Sequence, residues 1–126
     1  MKVVLTHEES ENLFFDALCN GLGYIESGYD LELAFSDLDY KNAKKKLSGQ
    51  SCCYEDILMS ILRNGGSLTL KDLDGDFTQT IFLKDVHERV ADTPIRHLMD
   101  AINEDGDAVT ADVILQSVFY REVIFG

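Results

Sequence analysis

Asp72, Asp74 and Asp76 alternate around Gly75 in the stretch KDLDGDFTQT, residues 71–80, a spacing that could begin a calcium loop. A loop of the EF-hand type needs ligand oxygens at its first, third, fifth and twelfth positions and glycine at its sixth. With Gly75 in the glycine position, Asp72 and Asp74 fall on ligand positions, but Leu70 and Ile81 stand where the first and last ligands belong. With Asp72 as the first ligand, Phe77 replaces the glycine and Leu83 the closing glutamate. Both registers lack the bidentate carboxylate. The flanking runs SLTLKDL and FTQTIFL alternate apolar and polar residues, so the expected structure is a hairpin over about 67–83, with Asp74-Gly75 as its tight turn.

The other chemistry-bearing residues are scattered. His7, His87 and His97 show no HxxxH spacing, and no CxxC pair accompanies them. A zinc site needs three or four convergent ligands, which this pattern does not announce. His97 and Arg96 precede Asp100 by three and four residues, the spacing of a surface ion pair on a helix. Cys52 and Cys53 sit where a helix begins, and a thiolate is stabilised there. A cysteine nucleophile also needs a base within hydrogen-bond reach, and nothing in the sequence ties His87 or His97 to either thiol. Lys41, Lys44, Lys45 and Lys46 form a basic run that the end of a helix explains. RNGGS lacks the lysine and spacing of a P-loop, and GLG lacks the third glycine of a dinucleotide fingerprint. No cofactor or metal is expected.

These residues must be positioned by short, mixed elements. KVVLT reads as a strand. Thr6 and Glu9 then form a capping-box pattern opening a helix to about Asn20, where NGLG supplies a stop. YDLELAFS alternates as a strand, with Tyr29, Leu31, Leu33 and Phe35 on one side. Ser36 caps a helix with Asp37 and Asp39 in its first turn and lysines in its last; Gly49 ends it. SCCYEDILMSILR makes an amphipathic helix with Tyr54, Ile57, Leu58, Ile61 and Leu62 on one face. After the hairpin, KDVHERVADT is a short helix. Thr93 and Pro94 open the next, whose buried face is Ile95, Leu98, Met99 and Ile102. EDGD turns the chain, and Thr110 caps a last helix whose polar positions recur near every four residues; REVIFG could instead close as a strand. The fold class is therefore α+β: a single domain over 1–126, with a small, mostly antiparallel sheet including the hairpin, packed with four to six short helices.

The chain has 126 residues, 45% of them apolar, with seven Phe and five Tyr, enough for its own core. Its net charge of −12 is uneven: residues 1–40 carry −8, residues 41–71 carry +4 and residues 72–126 carry −8. Such a field repels phosphate backbones and attracts basic partners. The segment 85–123 could hold three helices in a helix-turn-helix-like order, but PIRHLMDAINE sets Asp100 and Glu104 against Arg96, unlike a DNA-reading helix. No apolar run is long enough to span a bilayer. Three cysteines, two of them adjacent, suit a reducing, cytoplasmic setting.

The function expected from these residues is non-enzymatic: a small acidic intracellular protein that binds another protein with a basic surface. An accessory or inhibitory factor of a mobile element is one setting for it. Two alternatives stay open: a nucleic-acid mimic that inhibits a DNA- or RNA-handling protein, and an enzyme with a Cys/His or carboxylate site. Direct nucleic-acid and membrane binding are not expected. The residues expected to face a partner are Asp72, Asp74, Asp76, Asp105 and Asp107.

Overall fold

The computed structural model describes residues 3–50 and 52–126. Among the described residues, six α-helices pack with a three-stranded antiparallel sheet. In chain order these are α1 (His7–Tyr29), β1 (Leu31–Ala34), α2 (Asp37–Lys46), α3 (Tyr54–Arg63), β2 (Leu68–Asp72), β3 (Gln79–Ile81), α4 (Leu83–Arg89), α5 (Ile95–Ile102) and α6 (Ala108–Tyr120). A 3-10 turn at Val90–Asp92 links α4 to α5. The α+β class expected from the residue pattern is the observed one. Among the described residues no helix is long and apolar enough to cross a membrane.

α1 starts as its sequence dictates. The Glu9 N–H donates to Thr6 Oγ1 at 3.0 Å, and the Thr6 N–H donates back to Glu9 Oε1 at 2.8 Å. It does not stop at Asn20. Gly21 lies inside the helix, where an added Cβ would stand 2.7 Å from Cβ of Ala111 on α6. The glycine serves close helix–helix approach rather than a C-cap. α1 therefore carries Tyr29 as well, and β1 is shorter than expected. Residues 3–6 form no strand, and Met1 and Lys2 lie outside the described residues.

The sheet has the order β1-β2-β3, with Leu33 opposite Leu70 and Leu68 opposite Ile81. Leu31, Leu33, Leu68, Leu70 and Ile81 all point to one buried face. On the other face Thr69 and Thr80 hydroxyls lie 2.7 Å apart. Leu83 does not continue β3; it opens α4, where Asp85 Oδ2 accepts from the Phe82 N–H at 2.8 Å.

α6 is the centre of the molecule. Every residue from Thr110 to Phe119 is buried, which places the helix inside rather than on a surface. Phe14 of α1 and Phe119 of α6 have ring centroids 6.3 Å apart within one core that also takes in α3, the sheet and α4. The residue that caps α6 is Asp107, not Thr110: the Thr110 N–H donates to Asp107 Oδ1 at 3.0 Å. REVIFG does not close as a strand; residues 121–126 run back as an irregular tail.

α5 departs most from its pattern. Leu98 is its only buried residue, whereas Ile95 is 48% exposed and Met99 and Ile102 are each 39% exposed. The helix lies at the periphery, touching mainly α6, so its apolar stripe is only partly covered.

Candidate binding surfaces

The hairpin tip is built by Asp72. Its two carboxylate oxygens accept from the N–H groups of Asp74 and Phe77, each at 3.2 Å, and its own N–H donates to Thr78 Oγ1 at 3.0 Å. Residues 73–78 thus form a six-residue loop, not the two-residue turn expected at Asp74-Gly75. Gly75 lies over that carboxylate, since a Cβ there would meet Asp72 Oδ2 at 2.7 Å. Asp74 faces Asp30 at the end of α1; a side-chain hydrogen bond with Asp30, then the Asp30 charge, raises the Asp74 pKa. Asp76 is exposed. Two of the three tip aspartates are therefore engaged locally. Among the described residues no group of three or more His, Cys, Asp or Glu side chains is arranged to hold a metal ion.

A second acidic surface lies where α1, the end of α5 and the start of α6 meet. They enclose a cleft of about 260 Å³. Leu13, Ala17, Ala101, Ala111 and Ile114 give it apolar walls, and the exposed Asp16, Glu104 and Asp107 edge it. The Asp107 pKa is lowered: the Thr110 N–H, its largest influence, and the Val109 N–H outweigh an opposing desolvation. Asp105 is exposed in the same loop but does not line the cleft.

Glu104 is the unusual residue of this edge. α5 ends with the Glu104 N–H donating to Ala101 O at 3.1 Å and the Asp105 N–H donating to Asp100 O at 2.8 Å. That pair of bonds is a Schellman motif, and its left-handed residue is normally glycine. Here it is Glu104, at φ 60°. A carboxylate sits where the backbone favours no side chain, and it also opposes the negative end of the α5 dipole.

The two acidic surfaces do not merge. Asp16 marks the cleft on α1 and Asp30, the residue that caps the far end of that helix, marks the tip, which puts roughly 20 Å of helix between them at about 1.5 Å per residue. Of the residues expected to face a partner, Asp107 lines the cleft, Asp72, Asp74 and Asp76 occupy the tip, and Asp105 lies beside the cleft. Asp16 and Glu104 were missed, because their proximity depends on how α1 packs on α6.

Two histidines and a cysteine among the remaining reactive groups are tied into structure, whereas His97 keeps a buried Nδ1 without a hydrogen-bond partner among the described residues. His7 and His87 stack with ring centroids 3.9 Å apart, a meeting the sequence did not announce. His87 Nε2 lies 2.8 Å from Glu11 Oε2, and Arg63 Nε donates to Glu11 Oε1 at 2.7 Å. This network pins α1 to α3 and α4. Burial pushes the Glu11 carboxyl up, but hydrogen bonds and charge from Arg63 and His87 outweigh it, so its pKa is lowered. Cys53 precedes α3, and its Sγ lies 3.2 Å from Asp56 Oδ2. A backbone hydrogen bond from Asp56 favours its thiolate, yet the Asp56 carboxylate, desolvation and Glu55 prevail and raise the pKa. Burial, then Glu55 and Cys53, push Cys19 up to about 11. Raised thiol pKa values are the reverse of what a cysteine nucleophile requires. Lys44, Lys45 and Lys46 stand in the last turn of α2, opposite the acidic start of that helix.

The chain matches no family model, no curated protein and no solved structure.

Proposed function

We propose that the protein acts without catalysis, by binding a partner protein through the α1–α5–α6 cleft. The partner supplies a segment with an apolar anchor flanked by lysine or arginine. The observation that carries this is the composition of the cleft: apolar walls edged by Asp16, Glu104 and Asp107. Glu104 keeps its carboxylate there despite a left-handed backbone. Strain retained at a surface cleft is a pointer to use, because glycine would relieve it. The cleft is smaller than the roughly 300–1,000 Å³ of small-molecule sites, so it suits a protruding side chain better than a substrate. A net charge of −12 would speed encounter with a basic partner. Three free cysteines fit a reducing, cytoplasmic compartment. Within that setting, an accessory or inhibitory factor of a mobile element remains the biological role we favour.

A nucleic-acid mimic would bind chiefly through charge, and its affinity would fall steeply with salt. Binding at the cleft adds an apolar anchor, so part of the affinity persists when charges are screened. The test is an NMR titration of the full chain with an amphipathic lysine/leucine peptide as probe. Saturable shifts confined to residues 13–20 and 101–114, retained in part at high salt, are expected. Shifts centred on residues 72–76, or binding abolished by salt, would overturn the proposal.

A further inference from the structure

The tail that follows α6 is held as a bound peptide would be. Gln116 is fully buried and takes part in three hydrogen bonds with tail main chain. Its Oε1 accepts from the N–H groups of Ile124 and Phe125, both at 2.8 Å, and its Nε2 donates to Phe125 O at 3.3 Å. Asp112, 5% exposed, orients that amide by accepting from Nε2 at 2.6 Å, and Tyr29 donates to the other Asp112 oxygen at 2.6 Å. The Phe125 ring stacks on Tyr29 at 5.2 Å between centroids and meets the edges of Phe77 and Tyr120 at 5.8 and 5.7 Å. Gly126 completes the seat, because a Cβ there would stand 2.8 Å from the Tyr29 hydroxyl. The groove thus clamps the main chain of an extended segment, boxes one aromatic ring and requires glycine after it.

We infer that this groove is an exchange site in which two copies of the chain trade residues 122–126 to form a two-fold dimer. Three features favour a second copy as the occupant. The groove residues Tyr29, Phe77, Asp112, Gln116 and Tyr120 all precede Arg121, and the tail residues all follow it, so exchange conserves every contact named above. The hinge between them is strained: Arg121 is a non-glycine residue at φ 65°. Releasing the tail lets Arg121 return to helical backbone and α6 run on, which removes that strain once per hinge. Finally, the only segment known to satisfy the groove is this chain's own. Charge opposes the exchange, since each copy carries −12, so screening by salt favours the dimer. The groove lies at the Tyr29 end of α1, apart from the acidic cleft, and the inference does not depend on the function proposed for that cleft.

The test is light scattering coupled to size-exclusion chromatography of the full chain, over a wide concentration range at low and high salt. Arg121 is exposed, so substitutions there leave the core intact. A dimer that grows with concentration and salt is expected. Arg121→Gly, which relieves the hinge in the monomer, should weaken association about tenfold per hinge, or about a hundredfold for two. Arg121→Val, with a β-branched side chain in the left-handed region, should strengthen it. In a dimer of mixed isotope labels, the Phe125 ring of one copy should show contacts to the Tyr29 ring of the other. A monomer under all conditions in all three proteins would overturn the inference. So would a dimer indifferent to both substitutions, or one without the Phe125–Tyr29 contact between copies.

Discussion

Replacing Glu104 by glycine should make the protein more stable and less able to bind. Glu104 holds the left-handed position of the Schellman motif that ends α5. That backbone costs an L-residue about 1–2 kcal/mol. Glycine removes the cost but gains freedom in the unfolded chain, worth about 0.5–1 kcal/mol against it. The net expectation is a gain of about 0.5–1 kcal/mol. Removing a carboxylate from the negative end of α5, beside Asp107, adds a few tenths, or about 0.3 kcal/mol. Glu104→Ala shares this electrostatic gain while keeping the strained backbone, so it is the proper control. Urea unfolding of the two variants should differ by about 1 kcal/mol at constant slope, with Glu104→Gly the more stable. In a thermal scan the gap corresponds to roughly 3–5 °C for a domain of this size. If Glu104→Gly proves no more stable than Glu104→Ala, the position is not strained and the inference from strain to use fails.

Other perturbations test the packing and the electrostatics. Gly21→Ala places a methyl group 2.7 Å from Ala111 Cβ, so calorimetry should report a loss of about 1–3 kcal/mol as α1 and α6 are forced apart. Gln116→Ala leaves buried Asp112 and the tail amides short of partners; it should cost about 1–3 kcal/mol and speed hydrogen exchange at Ile124 and Phe125. The Glu11 carboxyl has a lowered pKa in the folded state. Its stabilisation is therefore complete above the unfolded value of about 4.3 and is lost as pH falls through the folded value. Chemical denaturation of Glu11→Gln across this acid range should show a shallower pH dependence than the parent; an unchanged profile would mean the Arg63–Glu11–His87 network contributes no linkage.

Local rules made much of the fold legible. The capping box of Thr6 and Glu9, the Ser36 cap with lysines closing α2, and the register of the hairpin are all set by neighbours in sequence. What the sequence hid depends on tertiary partners. Gly21 reads as a helix stop until α6 is seen against it. Ile95, Met99 and Ile102 read as a buried face, yet α5 lies at the edge of the molecule and covers little beyond Leu98. The three tip aspartates drew attention as a charged turn, but Asp72 spends its carboxylate on its own loop. The acidic cleft draws Asp16 from α1 and Glu104 and Asp107 from the other end of the chain, a convergence that no spacing along the sequence encodes. Only Asp107 carried a local signal, as a capping residue three positions before Thr110.

The most direct test compares capture of the native partner by three versions of the tagged full chain, at low and at high salt. The parent should retain one stoichiometric partner. The double variant Asp16→Lys/Glu104→Lys, altered only at exposed positions of the cleft edge, should lose it. Asp76→Lys, which makes the same kind of change at the hairpin tip, should retain it. Equal capture by the cleft variant, or loss confined to Asp76→Lys, would contradict the assignment of binding to the α1–α5–α6 cleft.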